Sequence, residues 1–128
     1  IVLRAAQLYS QAAHHQLSGP SFFMDHAFAG ETYDAMEAAY DSVVERAIGT
    51  GEKFDLLAMN VTSAKMVSDC KLDTTDDIFE QLIENEASIR REIEVAKKDG
   101  ASPGTINMLD QLADDSEVRT YKLKQRAK

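Results

Sequence analysis

The sequence predicts an all-α protein, an antiparallel four-helix bundle with a short extra helix in the long connection between the second and third long helices. Three observations carry this reading. The 128-residue chain is rich in Ala, Glu, Gln, Lys, Leu and Met, which favour helix, while Val and Ile are scattered without alternating runs. Its few prolines and glycines mostly gather in three places, Gly19-Pro20, Gly49/Gly51 and Gly100 to Gly104, which punctuates a few long elements rather than many short ones. The apolar residues Ala29, Tyr33, Met36, Tyr40, Val43 and Ala47 recur at spacings of 4-3-4-3-4, the seam of a bundle helix.

Ile1 to Leu17 reads as the first helix, with Ile1, Ala5, Leu8, Ala12 and His15 on one stripe. Ser18-Gly19-Pro20-Ser21 breaks it, and Ser21 is a candidate cap for the second helix. That helix, Phe22 to Ile48, is roughly 40 Å long, a length that suits a bundle better than a globule of mixed elements. From Gly51 to Asp73 the chain makes a long connection. In it Phe54 to Asn60 reads as a short helix and Val61 to Leu72 as less regular chain. A connection of that length can return along the bundle, so the helices on either side of it need not form a hairpin.

Thr74 opens the third long helix, with Asp77 three residues on in the manner of a capping box. Ile78, Leu82, Asn85, Ile89, Ile93 and Ala96 form its expected inner stripe, in which Asn85 is the polar interruption. Lys97, Lys98 and Gly100 end it, the lysines favourably placed at the carboxyl end of the dipole. Ser102 and Pro103 are the cap and first turn of the fourth long helix. Its expected apolar face is Ile106, Leu109, Leu112 or Ala113, Val118, Tyr121 and Leu123.

Length and 44% hydrophobic content support one domain over residues 1–128 with a real core. Ile1 already lies in helical pattern, so a trimmed or processed amino terminus is expected. The formal charge of −8 opposes nucleic-acid phosphates and suits cations. The Lys122–Lys128 tail carries four cations, so DNA binding through it, or through an upstream arm, is the less favoured use. One cysteine, Cys70, excludes an internal disulfide and fits a reducing, cytoplasmic setting. No apolar run is long enough to span a membrane.

The chemistry-bearing residues are few. All three histidines, His14, His15 and His26, come early. Asp41 and Glu45 lie four apart, on one face of the second helix and about 60° around its axis from His26. Two histidines and two carboxylates make an oxygen/nitrogen ligand set for iron, manganese or zinc. His26 and Asp41 are about 22 Å apart along a straight helix, whereas metal–ligand bonds are roughly 2.0–2.2 Å. One chain therefore cannot bring them to one ion, but two antiparallel copies about a twofold axis can, with two equivalent sites per dimer. Glu-x-x-His, the signature of metal centres inside a bundle, is absent, which again points to an interface.

The run Ala13-His14-His15-Gln16-Leu17-Ser18-Gly19-Pro20, followed by Phe22, His26, Phe28, Tyr33, Asp41 and Glu45-Arg46, resembles the signature of the Dps family, the mini-ferritins. The resemblance extends more weakly through Gly104-Thr105-Ile106-Asn107-Met108-Leu109. It implies a ferritin-like bundle, assembled from twofold dimers into a hollow dodecamer. Such a cage takes up Fe(II), oxidises it, preferably with hydrogen peroxide, and stores the ferric product. Carried over by position, His14 and His26 supply nitrogens and Asp41 and Glu45 supply oxygens from the twofold mate. The chain departs from the pattern in three places. Gly30 stands where the family has an Asp ligand, and His15 where it has Trp, as either a replacement ligand or a polar neighbour. Asn107 stands where it often has a pore Asp, leaving Asp99 and Asp110 as the nearest acidic candidates.

Overall fold

The computed structural model describes all residues from 1 to 128 and is entirely helical. Its helices are α1 (Val2–Gln16), α2 (Phe22–Gly49), α3 (Leu56–Ser68), α4 (Thr75–Lys98) and α5 (Pro103–Arg126). The four long segments fall where composition and punctuation predict. The short helix is longer than its apolar spacing suggests and runs through Val61 to Ser68. Asp55 caps it, its carboxylate accepting from the Ala58 N–H at 3.0 Å. Ser63 pins it to the bundle, fully buried and donating to the Met59 and Ile1 carbonyls.

Local chemistry sets the other ends. Thr74 Oγ1 accepts from the Asp77 N–H at 3.0 Å and Ser102 Oγ from the Thr105 N–H at 3.2 Å, the two caps read from sequence. Ser21, in contrast, makes no side-chain cap to α2. Gly19 and Gly51 adopt φ of +97°, which lets the chain turn sharply at both ends of α2.

Side-chain pairs fix the helix directions. Arg4 lies over the Tyr40 ring at 3.9 Å while His14 meets His26, so α1 and α2 are antiparallel. Lys97 pairs with Asp110 and Arg90 donates to Ser116, so α4 and α5 are antiparallel. Asp25 at the start of α2 holds Arg126 at the end of α5. At the other end Arg46 lies beside Gly104, so α2 and α5 are antiparallel as well. Hence α2 and α4 run in the same direction, and the connection containing α3 carries the chain back along the bundle.

The core has two apolar clusters. One joins Tyr9, Ala13 and Leu17 to Ala29, Phe79, Leu82 and Leu123, and the other joins Ala6 and Met36 to Ile89, Ile93 and Leu109. In α2, α4 and α5 the positions between them carry buried polar residues: Thr32, Glu86 and Ser116. Glu86 is 1% exposed and accepts from Arg119 Nε and from Ser116 Oγ, both at 2.6 Å. Arg90 completes the layer with bonds to Ser116 Oγ and Thr120 Oγ1. A buried carboxylate needs such partners, since an unpaired one costs several kcal/mol.

The expected stripe of α4 is buried at Ile78, Leu82, Ile89 and Ile93, and the layer departs from apolar counting in α5 and at one position of α4. In α5 the inward positions are Leu109, Ser116, Thr120 and Leu123, whereas Val118 and Tyr121 are exposed. In α4 the buried polar position is Glu86 rather than Asn85, which is only half-buried. α1 keeps Ala5 of its expected stripe buried, whereas Leu8 and Ala12 are only half-buried. Ala6, Tyr9, Ala13 and Leu17 face the core and His15 is exposed. Tyr9 sets this phase, because its hydroxyl reaches the Lys71 carbonyl at 2.6 Å.

Candidate metal site

The end of α1 and the start of α2 bring His14 and His26 together. The turn at Gly19 folds α2 back along α1, and the alanines of both helices allow a close approach. The two imidazoles stack with centroids 3.5 Å apart and planes 18° from parallel. Each ring's Nδ1 lies 2.6 Å from the other residue's backbone carbonyl oxygen. A carbonyl only accepts, so each Nδ1 carries the hydrogen and donates. In the neutral rings this leaves both Nε2 atoms with a free lone pair, the tautomer that binds metal, with the orienting bond already made. Phe22 stacks on the outer face of His26 at 4.7 Å, and Tyr33 meets His14 edge-on at 5.4 Å.

Stacking limits what the pair can hold. A metal binds in the plane of an imidazole at about 2.0–2.1 Å. Two nearly parallel planes at this separation do not meet within that reach. The two rings therefore do not chelate one ion in this arrangement; each offers a nitrogen of its own.

Gly30, one turn after His26, is part of this geometry. A Cβ built there meets the Cε1 and Nδ1 atoms of His14 at 3.0 Å, tighter than ordinary contact. The missing side chain is what lets the His14 ring lie on the α2 backbone. The sequence marks Gly30 as a lost carboxylate, but its spatial role as the seat of His14 depends on contact with another helix. Phe22 and Tyr33 are further site residues that spacing alone does not single out as ring partners.

Asp41 and Glu45 lie exposed on the far half of α2, and neither is engaged in an ion pair. α2 is unbroken from Phe22 to Gly49, so within one chain Asp41 stays about 22 Å and Glu45 about 28 Å from His26. No group of three or more His, Cys, Asp or Glu side chains comes together in a single chain. Arg46 forms no ion pair with Glu45. His15 is exposed and touches His14 edge-on at 5.3 Å, with no hydrogen bond of its own. Asp110 is paired with Lys97 at 2.7 Å, which raises the lysine's pKa and leaves Asp99 as the freer acid near that end. No helix is long and apolar enough to cross a membrane.

Comparison with protein-family models, with curated proteins and with solved structures finds no match to this chain.

Proposed function

We propose that this chain is a Dps-like, ferritin-type subunit that binds ferrous iron between two twofold-related copies and oxidises it, with hydrogen peroxide as the preferred oxidant. One observation carries the reading. His14 at the end of α1 and His26 at the start of α2 hold each other through Nδ1 and, in the neutral rings, keep both Nε2 atoms free, while α2 exposes two unpaired carboxylates further along its length. The bundle directions support the ferritin-like assignment, since α2 and α4 run parallel across a single long crossover.

In this reading His14 and His26 each bind iron through Nε2, and Asp41 and Glu45 of the mate supply oxygens. Each pair of Fe(II) ions gives up two electrons to one peroxide, which takes up two protons and leaves as two waters. The carboxylates stabilise the ferric product, and an acidic protein draws the cations in. Assembly into a dodecamer of twofold dimers would give the ferric product an enclosed space.

Gly30 favours a second reading, a cage of the same fold whose site holds metal without useful turnover. It removes a carboxylate where the family has one, and the space is taken by His14. Anaerobic Fe(II) followed by peroxide separates the two. Ferric absorbance should rise faster in the parent than in His26→Ala or Asp41→Ala, by at least tenfold. Equal rates would exclude the oxidase and leave the second reading.

A further inference from the structure

His15 stands beside the histidine pair without a role in the shared iron site. It is exposed, forms no hydrogen bond and meets the His14 ring at a centroid distance of 5.3 Å with planes 72° apart. That separation is informative. A metal about 2.1 Å from an imidazole nitrogen, in the ring plane, lies about 3.2 Å from the ring centroid. Two imidazoles on one ion at a tetrahedral angle of about 109° therefore have centroids about 5.2 Å apart. His14 and His15 already stand at that spacing. His14 and His26, at 3.5 Å, would have to crowd their two nitrogens to about 2.3 Å on one ion, well inside contact.

The two neighbouring rings also differ in freedom. His14 is held by its Nδ1, which donates to the His26 carbonyl, and by the α2 backbone at Gly30, so in the neutral ring Nε2 is its one ligand atom. His15 is unbonded, so its side-chain torsions can aim either nitrogen at an ion on His14 without breaking a hydrogen bond. We propose that His14 and His15 of one chain chelate a single divalent cation of the zinc type, His14 through Nε2 and His15 as the mobile second nitrogen. Gly30 leaves this turn of α2 without a carboxylate, and His15 brings an imidazole to the ligand set instead. Exchanging oxygen for nitrogen favours Zn(II) over Mn(II), since imidazole suits the former and carboxylate the latter. The inference rests on His14 being a metal ligand, as in the iron reading, but not on the mate's carboxylates or on any oxidation.

Zn(II) and Mn(II) affinities of the whole chain, measured by competition with a chromophoric chelator, test the chelate. His15→Ala should weaken Zn(II) binding by about tenfold or more and Mn(II) binding by less than about threefold. Its Tm should not fall below the parent's, because the side chain is exposed and unbonded. In proton–nitrogen NMR spectra of the imidazoles, Zn(II) should shift the ring nitrogens of both His14 and His15. Unchanged Zn(II) affinity in His15→Ala, or a Zn(II) shift at His14 without one at His15, would overturn the proposal. Peroxide-driven Fe(II) oxidation that still requires His26 and Asp41 would then leave the iron reading standing, so the two can fail separately.

Discussion

His14 and His26 exchange hydrogen bonds: each imidazole Nδ1 donates to the other residue's backbone carbonyl at 2.6 Å, and the rings stack between them. The pair thus joins α1 to α2 and leaves the two Nε2 atoms outside these bonds. Such a clamp has a structural contribution separable from metal binding. His14→Ala removes both the bond its ring donates and the ring contact. It should lower stability by about 1–3 kcal/mol in urea unfolding without metal. His14→Asn, which can remake part of the bonding, should recover some of that loss but none of the metal affinity. A metal-free stability unchanged by His14→Ala would contradict the clamp.

Gly30 sits against that ring, and the sign of its substitution depends on His14. In an ordinary helix interior Gly→Ala stabilises by about 1 kcal/mol. Here the new methyl must displace the His14 ring by a few tenths of an ångström. Gly30→Ala should therefore be neutral or destabilising in the parent and stabilising by about 0.5–1 kcal/mol in a His14→Ala background. A double-mutant cycle measures the coupling directly. Additive effects would mean that the ring does not rest on Gly30. For the same reason Gly30→Asp does not simply restore a carboxylate, because it moves a nitrogen ligand as well.

The buried layer around Glu86 makes a prediction about pairing. Arg119→Met removes two of the three side-chain bonds to a carboxylate that is 1% exposed, and should cost about 3–5 kcal/mol. Glu86→Met combined with Arg119→Met should cost less than Arg119→Met alone, since no unpaired charge is then left inside. Chemical denaturation of the variants distinguishes this from simple loss of packing, in which the double variant would be the worse.

Legibility in the sequence differs with what each feature depends on. The caps at Thr74 and Ser102 involve residues three apart, so the sequence carries them whole. The segment lengths reflect where glycine and proline fall. The stripe of α5 was not legible, because Ser116 and Thr120 are buried only by virtue of Glu86 and Arg90 on another helix. Counting apolar residues turns Val118 and Tyr121 inward instead. α1 misleads in the same way, since nothing near Tyr9 announces that its hydroxyl will meet Lys71. Of the candidate site, the spacing of His14 and His26 across the turn was legible and their mutual clamp was not. The latter needs backbone carbonyls that only the packed helices bring close.

Tyr9 provides the pH dependence. Burial raises its phenol pKa above the ordinary value of 10.0, the nearby Cys70 and Asp77 acting in the same direction. The folded state thus keeps the proton that the unfolded chain loses. The associated stability is complete below pH 10 and declines as pH rises above it, by up to about 1.4 kcal/mol per pH unit. Tyr9→Phe should remove most of that alkaline slope while costing about 1 kcal/mol at neutral pH for the lost bond to Lys71. A slope unchanged by Tyr9→Phe would assign the alkaline loss to other groups.

Subunit mixing tests the shared iron site most directly. A copy carrying His14→Ala and His26→Ala is co-expressed one-to-one with a copy carrying Asp41→Ala and Glu45→Ala, and peroxide-driven Fe(II) oxidation is measured. Each variant alone should be inactive. Half of randomly formed twofold pairs are mixed, and each mixed pair has one intact site of two, so about a quarter of the parental rate should return. If the mixture stays as inactive as its components while still assembling, residues 14 and 26 do not work with residues 41 and 45 of a neighbouring copy.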